Sequence, residues 1–288
     1  MNTPIAVVTG AAGGLGQATA RQLLAAGFDV VAVTRDAASA RETLRILEAP
    51  ARGRTVHALH ADLVDRADVR ALAGRLRESV GRVDVLVNNA GAAFAHYAET
   101  ADGTERTHAL NHLAPFHLTH LLLADGLFAP GARIVNISSD LVTRGRVDAG
   151  DPDVTGLSWR ERFSQITVYG TAKLTGLLAT TALAARLPAG MHAYSASPGV
   201  VRTGFHHKSG GLLKAAAAVG SLFAQTPQKA ARTPVLLATA PAAPAPNGGF
   251  FAKGAPATAP APARDAALAA EVYERTARTL GLTALPRR

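Results

Sequence analysis

Apolar residues follow two alternating rhythms along this chain. Short runs rich in Val, Ile and Ala occupy 5–9, 29–34, 55–59, 83–87, 132–137 and 191–197. They are nearly continuous rather than alternating with polar residues, which is the mark of strands buried on both faces. Between them, apolar positions recur at helical spacing over 15–26, 37–48, 66–80, 102–124, 164–186 and 227–240. A strand near 250–252 and a helix over 264–281 complete the set. Strands alternating with helices of this length predict βαβ units and a parallel sheet covered on both sides. Right-handed crossovers then make an α/β, doubly wound, Rossmann-like fold. No internal repeat is visible, and 288 residues suffice for one such domain spanning 1–288.

Two segments break the alternation. Residues 140–163 are polar and carry Gly145, Gly150, Pro152 and Gly156, which predicts a long loop. Residues 203–225 contain Gly210-Gly211 and then an apolar run over 212–219, which predicts a flap with a short helix. Both are expected beyond the carboxyl ends of strands, where open α/β sheets bind ligands. The Ala/Pro-rich tract 241–263 reads as a linker by composition, although Phe250-Phe251 within it call for packing.

Composition narrows the class. Hydrophobic residues make up 48% and charged residues 18%, as in soluble globular proteins. The absence of cysteine removes disulfides and thiolate metal sites. No apolar run is long enough for a bilayer; Leu121-Leu122-Leu123 soon meets Asp125 and Gly126. No basic segment followed by a long apolar one opens the chain, so a cytoplasmic location is expected. The net charge of +9 is scattered arginine without a basic stripe. That argues against a nucleic-acid partner and agrees with a phosphate-bearing ligand. The Ala- and Arg-rich usage suggests a high-GC bacterium.

Candidate chemistry centres on Tyr169 and Lys173, four apart at the head of an apolar run. On a helix they share a face. A phenol titrates near ~10, too high for easy proton exchange at neutral pH. A nearby ammonium lowers that value, so the pair reads as a general acid/base. The first strand ends in Thr9-Gly10-Ala11-Ala12-Gly13-Gly14-Leu15-Gly16. Glycines there permit a sharp turn, and the helix start beyond it offers free N–H groups to a pyrophosphate. The second strand ends in Thr34-Arg35-Asp36. Arg35 suits a 2′-phosphate and favours NADP(H), while Asp36 keeps NAD(H) open or simply caps the next helix. Asp62 is a candidate for the adenine amino group or for capping the helix after Val64. Asn88-Asn89-Ala90-Gly91 offers small residues for close approach to a ribose.

Taken together, these residues resemble a classical short-chain dehydrogenase/reductase. The matching pieces are Thr9 to Gly16, Asp62, Asn88 to Gly91, Asn111, Ser138-Ser139, Tyr169-x-x-x-Lys173 and Pro198-Gly199-Val200-Val201-Arg202-Thr203. Further features are similar to the retinol-dehydrogenase-like branch. They are Thr100 to Glu105, Asn111-His112-Leu113-x-x-Phe116-x-Leu118-Thr119, the long gap before Tyr169, and the ending from Gly249-Phe250-Phe251 to Leu282. The resemblance implies that Tyr169 protonates a carbonyl oxygen or deprotonates the matching alcohol. It implies that Lys173 holds the nicotinamide ribose and lowers the Tyr169 pKa. Ser139, rather than Ser138, would bind the substrate oxygen, and Asn111 would hold a water in a proton relay from Lys173. Gly10, Gly14, Leu15, Gly16, Arg35, Asp62, Leu63, Asn89, Ala90 and Gly91 would line the dinucleotide. Pro198, Gly199, Val201 and Thr203 would clasp the carboxamide. Pro115 is expected to bend its helix just after Asn111, where an irregularity belongs.

The implied activity is NADP(H)-dependent reduction of a carbonyl, or oxidation of its alcohol, on a lipophilic small molecule. A redox-neutral epimerase or cyclase and an NADP(H)-binding sensor are the alternatives on the same fold. The family forms dimers or tetramers, and this branch includes monomers. His108 and His112 stand four apart on a helix, with His117 and His120 nearby, but a zinc site wants three supported ligands and His112 fits the family pattern without metal; core or surface histidines are expected, and no metal. His206-His207 are expected in a solvated loop. Trp159, Phe163, Phe205 and Phe223 suit an apolar pocket or ordinary packing equally.

Overall fold

The computed structural model describes residues 3–49, 51–202 and 224–288. Strands β1 (Ile5–Thr9), β2 (Asp29–Thr34), β3 (Val56–His60), β4 (Val83–Asn88), β5 (Phe128–Ile137), β6 (His192–Ser197), β7 (Phe250–Ala252) and β8 (Ala255–Pro256) form one sheet. Their spatial order is β3-β2-β1-β4-β5-β6-β7-β8, with every pair parallel except the short terminal β7–β8 pair. The order reverses between β1 and β4, which opens the crevice where such sheets bind ligands. The doubly wound fold expected from the alternation is therefore present. Part of the 241–263 tract is β7 and β8 rather than linker, because Phe251 is buried against Tyr194.

Helices α1 (Gly14–Ala25) and α2 (Ala37–Glu48) cover one face of the sheet. Helix α3 (Arg66–Ser79) lies on the other, followed by α4 (Arg106–His108), a π-helical turn (Ala109–Leu113) and α5 (Ala114–Ala124). Next come α6 (Gln165–Ala184), α7 (Pro227–Ala230), α8 (Arg232–Thr239) and α9 (Ala266–Thr279). Helix α8 joins α1 and α2 on the first face, where Val8, Val30, Val87, Val135 and Ala196 pack into one apolar cluster. On the second face Val7, Val31 and Leu86 meet α3 and α5, while Ile134 and Ala193 meet α6 and α9. Burying a Val or Leu contributes about 1.5–3 kcal/mol, so these two layers hold the sheet.

Two expected helices differ in detail. The reading 102–124 begins only at Arg106, because Glu105 caps it by accepting from the His108 N–H at 2.9 Å. The reading 227–240 divides at Ala231. Pro234 has no N–H to donate, and the restart at Arg232 places it in a first turn, where none is needed. The strand read at 132–137 begins earlier, at Phe128. A register irregularity between Val83 and Val85 absorbs Pro130 and Gly131. Residues 140–163 form a loop with two 3₁₀ turns, Asp140–Arg144 and Leu157–Trp159. The loop docks on α4 through the Glu105 N–H to the Thr155 carbonyl, 2.9 Å. Trp159 in it is buried, and Phe163 meets Tyr97 edge-on. Most of the expected 203–225 flap, with Thr203, Phe205, His206-His207 and Phe223, lies outside the described residues.

Candidate active site

The carboxyl ends of β1, β4, β5 and β6 gather the expected residues. The β1–α1 turn is closed from behind by Asn89, whose amide donates to the Thr9 carbonyl at 2.8 Å and to the Gly10 carbonyl at 3.2 Å. The Thr9 hydroxyl accepts from the Asn89 and Ala90 N–H groups, 3.0 Å each. A Cβ on Gly16 would stand 2.3 Å from the Gly10 carbonyl oxygen, so only glycine fits that approach. Leu15 is buried beside it. In front, Gly13 has open space, and no side chain caps the start of α1. The helix therefore presents unpaired N–H groups and its positive dipole end outward.

At the end of β2, Arg35 is exposed and pairs loosely with Asp36 at 3.7 Å. Asp36 caps α2, accepting from the Ser39 N–H at 2.8 Å, which is the capping role weighed for it. Beyond β3, Leu63 is buried and Asp62 is exposed. Asp62 accepts from the Val64 N–H in a tight turn, and the cap of α3 is Asp65, not Asp62.

Asn111 lies within the π turn. The expected bend takes this form because Pro115 cannot donate to the Asn111 carbonyl, and the Ala114 N–H bonds instead to the Ala109 carbonyl. The Asn111 amide donates to the carbonyls of Ala92 (2.7 Å) and Thr107 (2.9 Å). A Cβ on Gly91 would lie 2.6 Å from Asn111 Oδ1 and 3.4 Å from Lys173 Nζ, so the three residues meet at one point.

Ser139, two residues past β5 and capping the 3₁₀ turn Asp140–Arg144, faces Tyr169 and hydrogen-bonds its phenol. Ser138 is buried, and its hydroxyl has no protein partner. Of the two serines, Ser139 is the one that meets the phenol. Tyr169 and Lys173 stand on α6, both buried. Lys173 Nζ donates to the Ile137 carbonyl at 2.8 Å and lies 5.7 Å from the centre of the Tyr169 ring. Burial pushes the phenol well above its ordinary value, with Ser139 pulling it down. Burial also lowers Lys173 to about 8. The depression of the phenol expected from helical spacing is absent here, because desolvation dominates and the ammonium is turned to a carbonyl.

The segment after β6 has partners that no motif marks. Gln225 brackets it: its N–H donates to the Val200 carbonyl and its carbonyl accepts from Arg202, both at 2.9 Å. Its side-chain amide donates to the Pro198 carbonyl and would sit 3.0 Å from a Cβ on Gly199. Val201 is partly buried beside the sheet. The Ser197 hydroxyl donates to Asp140 at 2.5 Å, tying this segment to the residue after Ser139. Gln225 and Asp140 belong to no short motif, so only the fold reveals them.

The four α4–α5 histidines are buried. Desolvation holds His108, His117 and His120 near 4 and His112 near 3, which keeps all four neutral. Among the described residues, no three His, Asp or Glu side chains converge as a metal site would require.

The family model described as short chain dehydrogenase matches residues 4–149. The chain is 35% identical over 278 residues to "Putative daunorubicin C-13 ketoreductase DnrU" of a Streptomyces strain, covering 96% of this chain and 93% of the relative. It is 32% identical to human retinol dehydrogenase 13, over 96% of this chain and 85% of that one. Among solved structures, a short-chain dehydrogenase from Sphingobium yanoikuyae in complex with NADPH superposes with a TM-score of 0.61 at 26% identity. That match covers 81% of this chain and 84% of the other. With this fold and this site, the chain belongs to the short-chain dehydrogenase family. It falls in the retinol-dehydrogenase-like branch and is an NAD(P)-dependent oxidoreductase. Among the described residues, no helix is long and apolar enough to cross a membrane. The uncapped α1 start, the open space before Gly13 and the exposed Arg35 fit a nicotinamide dinucleotide.

Proposed function

We propose that this chain reduces the carbonyl of a lipophilic small molecule with NADPH, and that Tyr169 donates the proton. The observation that carries the reading is the hydrogen bond between Ser139 and a buried Tyr169, with Lys173 one turn along the same helix. When bound, the nicotinamide supplies the hydride. The chain's own residues do the rest. Ser139 holds the carbonyl oxygen against the phenol. The Tyr169 O–H gives up its proton as charge develops on that oxygen.

Asn111, Lys173 and the Asn89 to Gly91 turn support the ribose side, with Lys173 charged or neutral near pH 8. Gly10, Gly14, Leu15 and Gly16 support the pyrophosphate at α1. Asp62 and Leu63 edge the adenine. Arg35 is free to meet a 2′-phosphate, which supports NADP over NAD. Pro198, Gly199 and Val201, held by Gln225, back the carboxamide. We assign the described residues to one catalytic unit acting in the cytoplasm. Lipophilicity of the substrate rests on the apolar side chains near Tyr169, namely Ala93, Leu141 and Ile166.

The test is NADPH consumption against a panel of aromatic and long-chain aldehydes and ketones. Stoichiometric consumption with alcohol formed supports the reductase. Product without net consumption would replace it with a redox-neutral enzyme. Tight NADPH binding with no product anywhere in the panel would point to a sensor.

A further inference from the structure

Two glycines face each other across the seam between helix α6 and the turn that follows Ser139. A Cβ on Gly170 would lie 2.5 Å from the Leu141 carbonyl oxygen and 3.0 Å from the Gly145 nitrogen. A Cβ on Gly145 would lie 2.6 Å from the Gly170 carbonyl oxygen. Each forbids a side chain on the other, so the two backbones meet directly. Backbone conformation explains neither glycine. Gly145 has φ −70° and ψ 151°, which any residue adopts. Gly170 stands inside α6, where alanine is the better helix former. What remains as a reason for both is the contact itself.

That contact adjoins the proton-transfer pair. Gly170 follows Tyr169 directly, and Leu141 joins the contact to Ser139. The Leu141 N–H donates to Ser139 Oγ at 3.2 Å, its side chain packs against Tyr169, and its carbonyl lies against Gly170. The bond from Leu141 uses one lone pair of Ser139 Oγ and leaves the O–H to donate.

The turn is fastened at both ends. At its start, Asp140 accepts from the Ser197 hydroxyl at 2.5 Å. Just past its end, the Arg146 N–H donates to the Thr171 hydroxyl at 3.0 Å, whose own proton goes to the Thr167 carbonyl at 2.7 Å. Thr171 is buried. Within the turn, the Val142 N–H donates to the Ser139 carbonyl and the Gly145 N–H to the Val142 carbonyl, at 3.2 and 3.1 Å. Displacing one end therefore moves the piece that carries Ser139.

We propose that the turn from Ser139 to Gly145 gauges the proton-transfer geometry: Gly145 and Gly170 set how closely Ser139 stands to Tyr169, and Thr171 latches the turn there. Gly145, Gly170 and Thr171 are then positioning residues that act through Leu141, an assignment that rests on the reductase reading. A methyl on either glycine forces the turn off α6, and Ser139 Oγ moves with Leu141. A shift of about 1 Å in such a pair costs on the order of a hundredfold in rate.

The first test needs no turnover. With carbon-13 at tyrosine Cζ, the Tyr169 resonance is the one of four that Tyr169→Phe removes. The native chain and Ser139→Ala give its bonded and unbonded limits. Gly145→Ala should move the resonance toward the Ser139→Ala limit. Gly150→Ala, in the same loop but with no atom closer than 3.5 Å to its Cβ, should leave it in place. A native resonance in folded Gly145→Ala would overturn the proposal, whether or not the chain is a reductase. Should Gly145→Ala not fold, Thr171→Val decides, because it keeps the shape and loses the latch. Its resonance should shift and Thr171→Ser should restore it; an unmoved resonance in Thr171→Val would equally overturn the proposal. With a substrate in hand, Gly145→Ala should lower kcat by about tenfold to a hundredfold, with KM and NADPH affinity within a few-fold. Added to Ser139→Ala it should cost little more, because both act on the same hydrogen bond. Fully additive losses would mark a merely structural role and sink the proposal. A silent substrate panel would count against the reductase reading, and the resonance would still decide what places Ser139.

Discussion

The two faces of the sheet start alike and end differently. On the α1 face, Val8, Val87, Val135 and Ala196 keep the packing aliphatic toward the carboxyl end of the strands. On the α5–α6 face, Leu86, Ile134 and Ala193 are followed, two residues on, by Asn88, Asn136 and Ser195. One face only holds the sheet together. The other also surrounds Lys173 and Asn111, and there the chain gives up aliphatic burial for polar groups. A fold keeps such a row only where its hydrogen bonds are met, since an orphaned buried group costs about 1–3 kcal/mol.

Exchanging the character of the two faces breaks this comparison most sharply. Val135→Asn puts an amide with no partner into the aliphatic face and should destabilise by about 3–5 kcal/mol in urea unfolding, through lost packing and an unmet polar group. The neighbouring change Asn136→Val removes the bonds to Asn88 and Thr180 but adds apolar area. Its expected cost is smaller, about 1–3 kcal/mol. Equal costs for the two would dissolve the contrast between the faces.

Acid should find the same face. His108, His117 and His120 titrate near 4 and His112 near 3 in the folded chain, below the ordinary 6.5. The unfolded chain therefore binds protons first as pH falls. Stability from these groups is full above about 6.5 and is lost toward pH 4, by at most ~1.4 kcal/mol per pH unit for each histidine. Melting curves between pH 7 and 5 measure it, and replacing His117 with Leu should flatten the slope. A still smaller effect is expected at the far end of the crevice. Arg35→Ala should weaken NADPH binding by about tenfold and leave NADH binding unchanged, as read by titration calorimetry.

Much of the fold could be read from local chemistry. The strand at 29–34 and the helix at 37–48 fall where the pattern put them, because Asp36 caps and Val30 to Val33 are buried on both sides. The irregularity at Asn111 was legible because Pro115 removes a particular donor. The Gly-rich turn was legible because Gly16 admits no Cβ. What escaped depends on distance along the chain. Gln225 reaches the Pro198 segment from 27 residues away. The polar row needs the registers of three strands, which no single run reveals. The direction of the Lys173 ammonium escaped as well, because helical spacing fixes the face but not whether Nζ meets a phenol or the Ile137 carbonyl.

The most direct test is Tyr169→Phe, compared with the native chain for carbonyl reduction and for NADPH affinity. Turnover should fall by at least about a hundredfold, the lower end of what a positioned proton donor contributes, while NADPH affinity stays within a few-fold. Turnover near the native rate in the phenylalanine variant would contradict the assignment of Tyr169 as the proton donor.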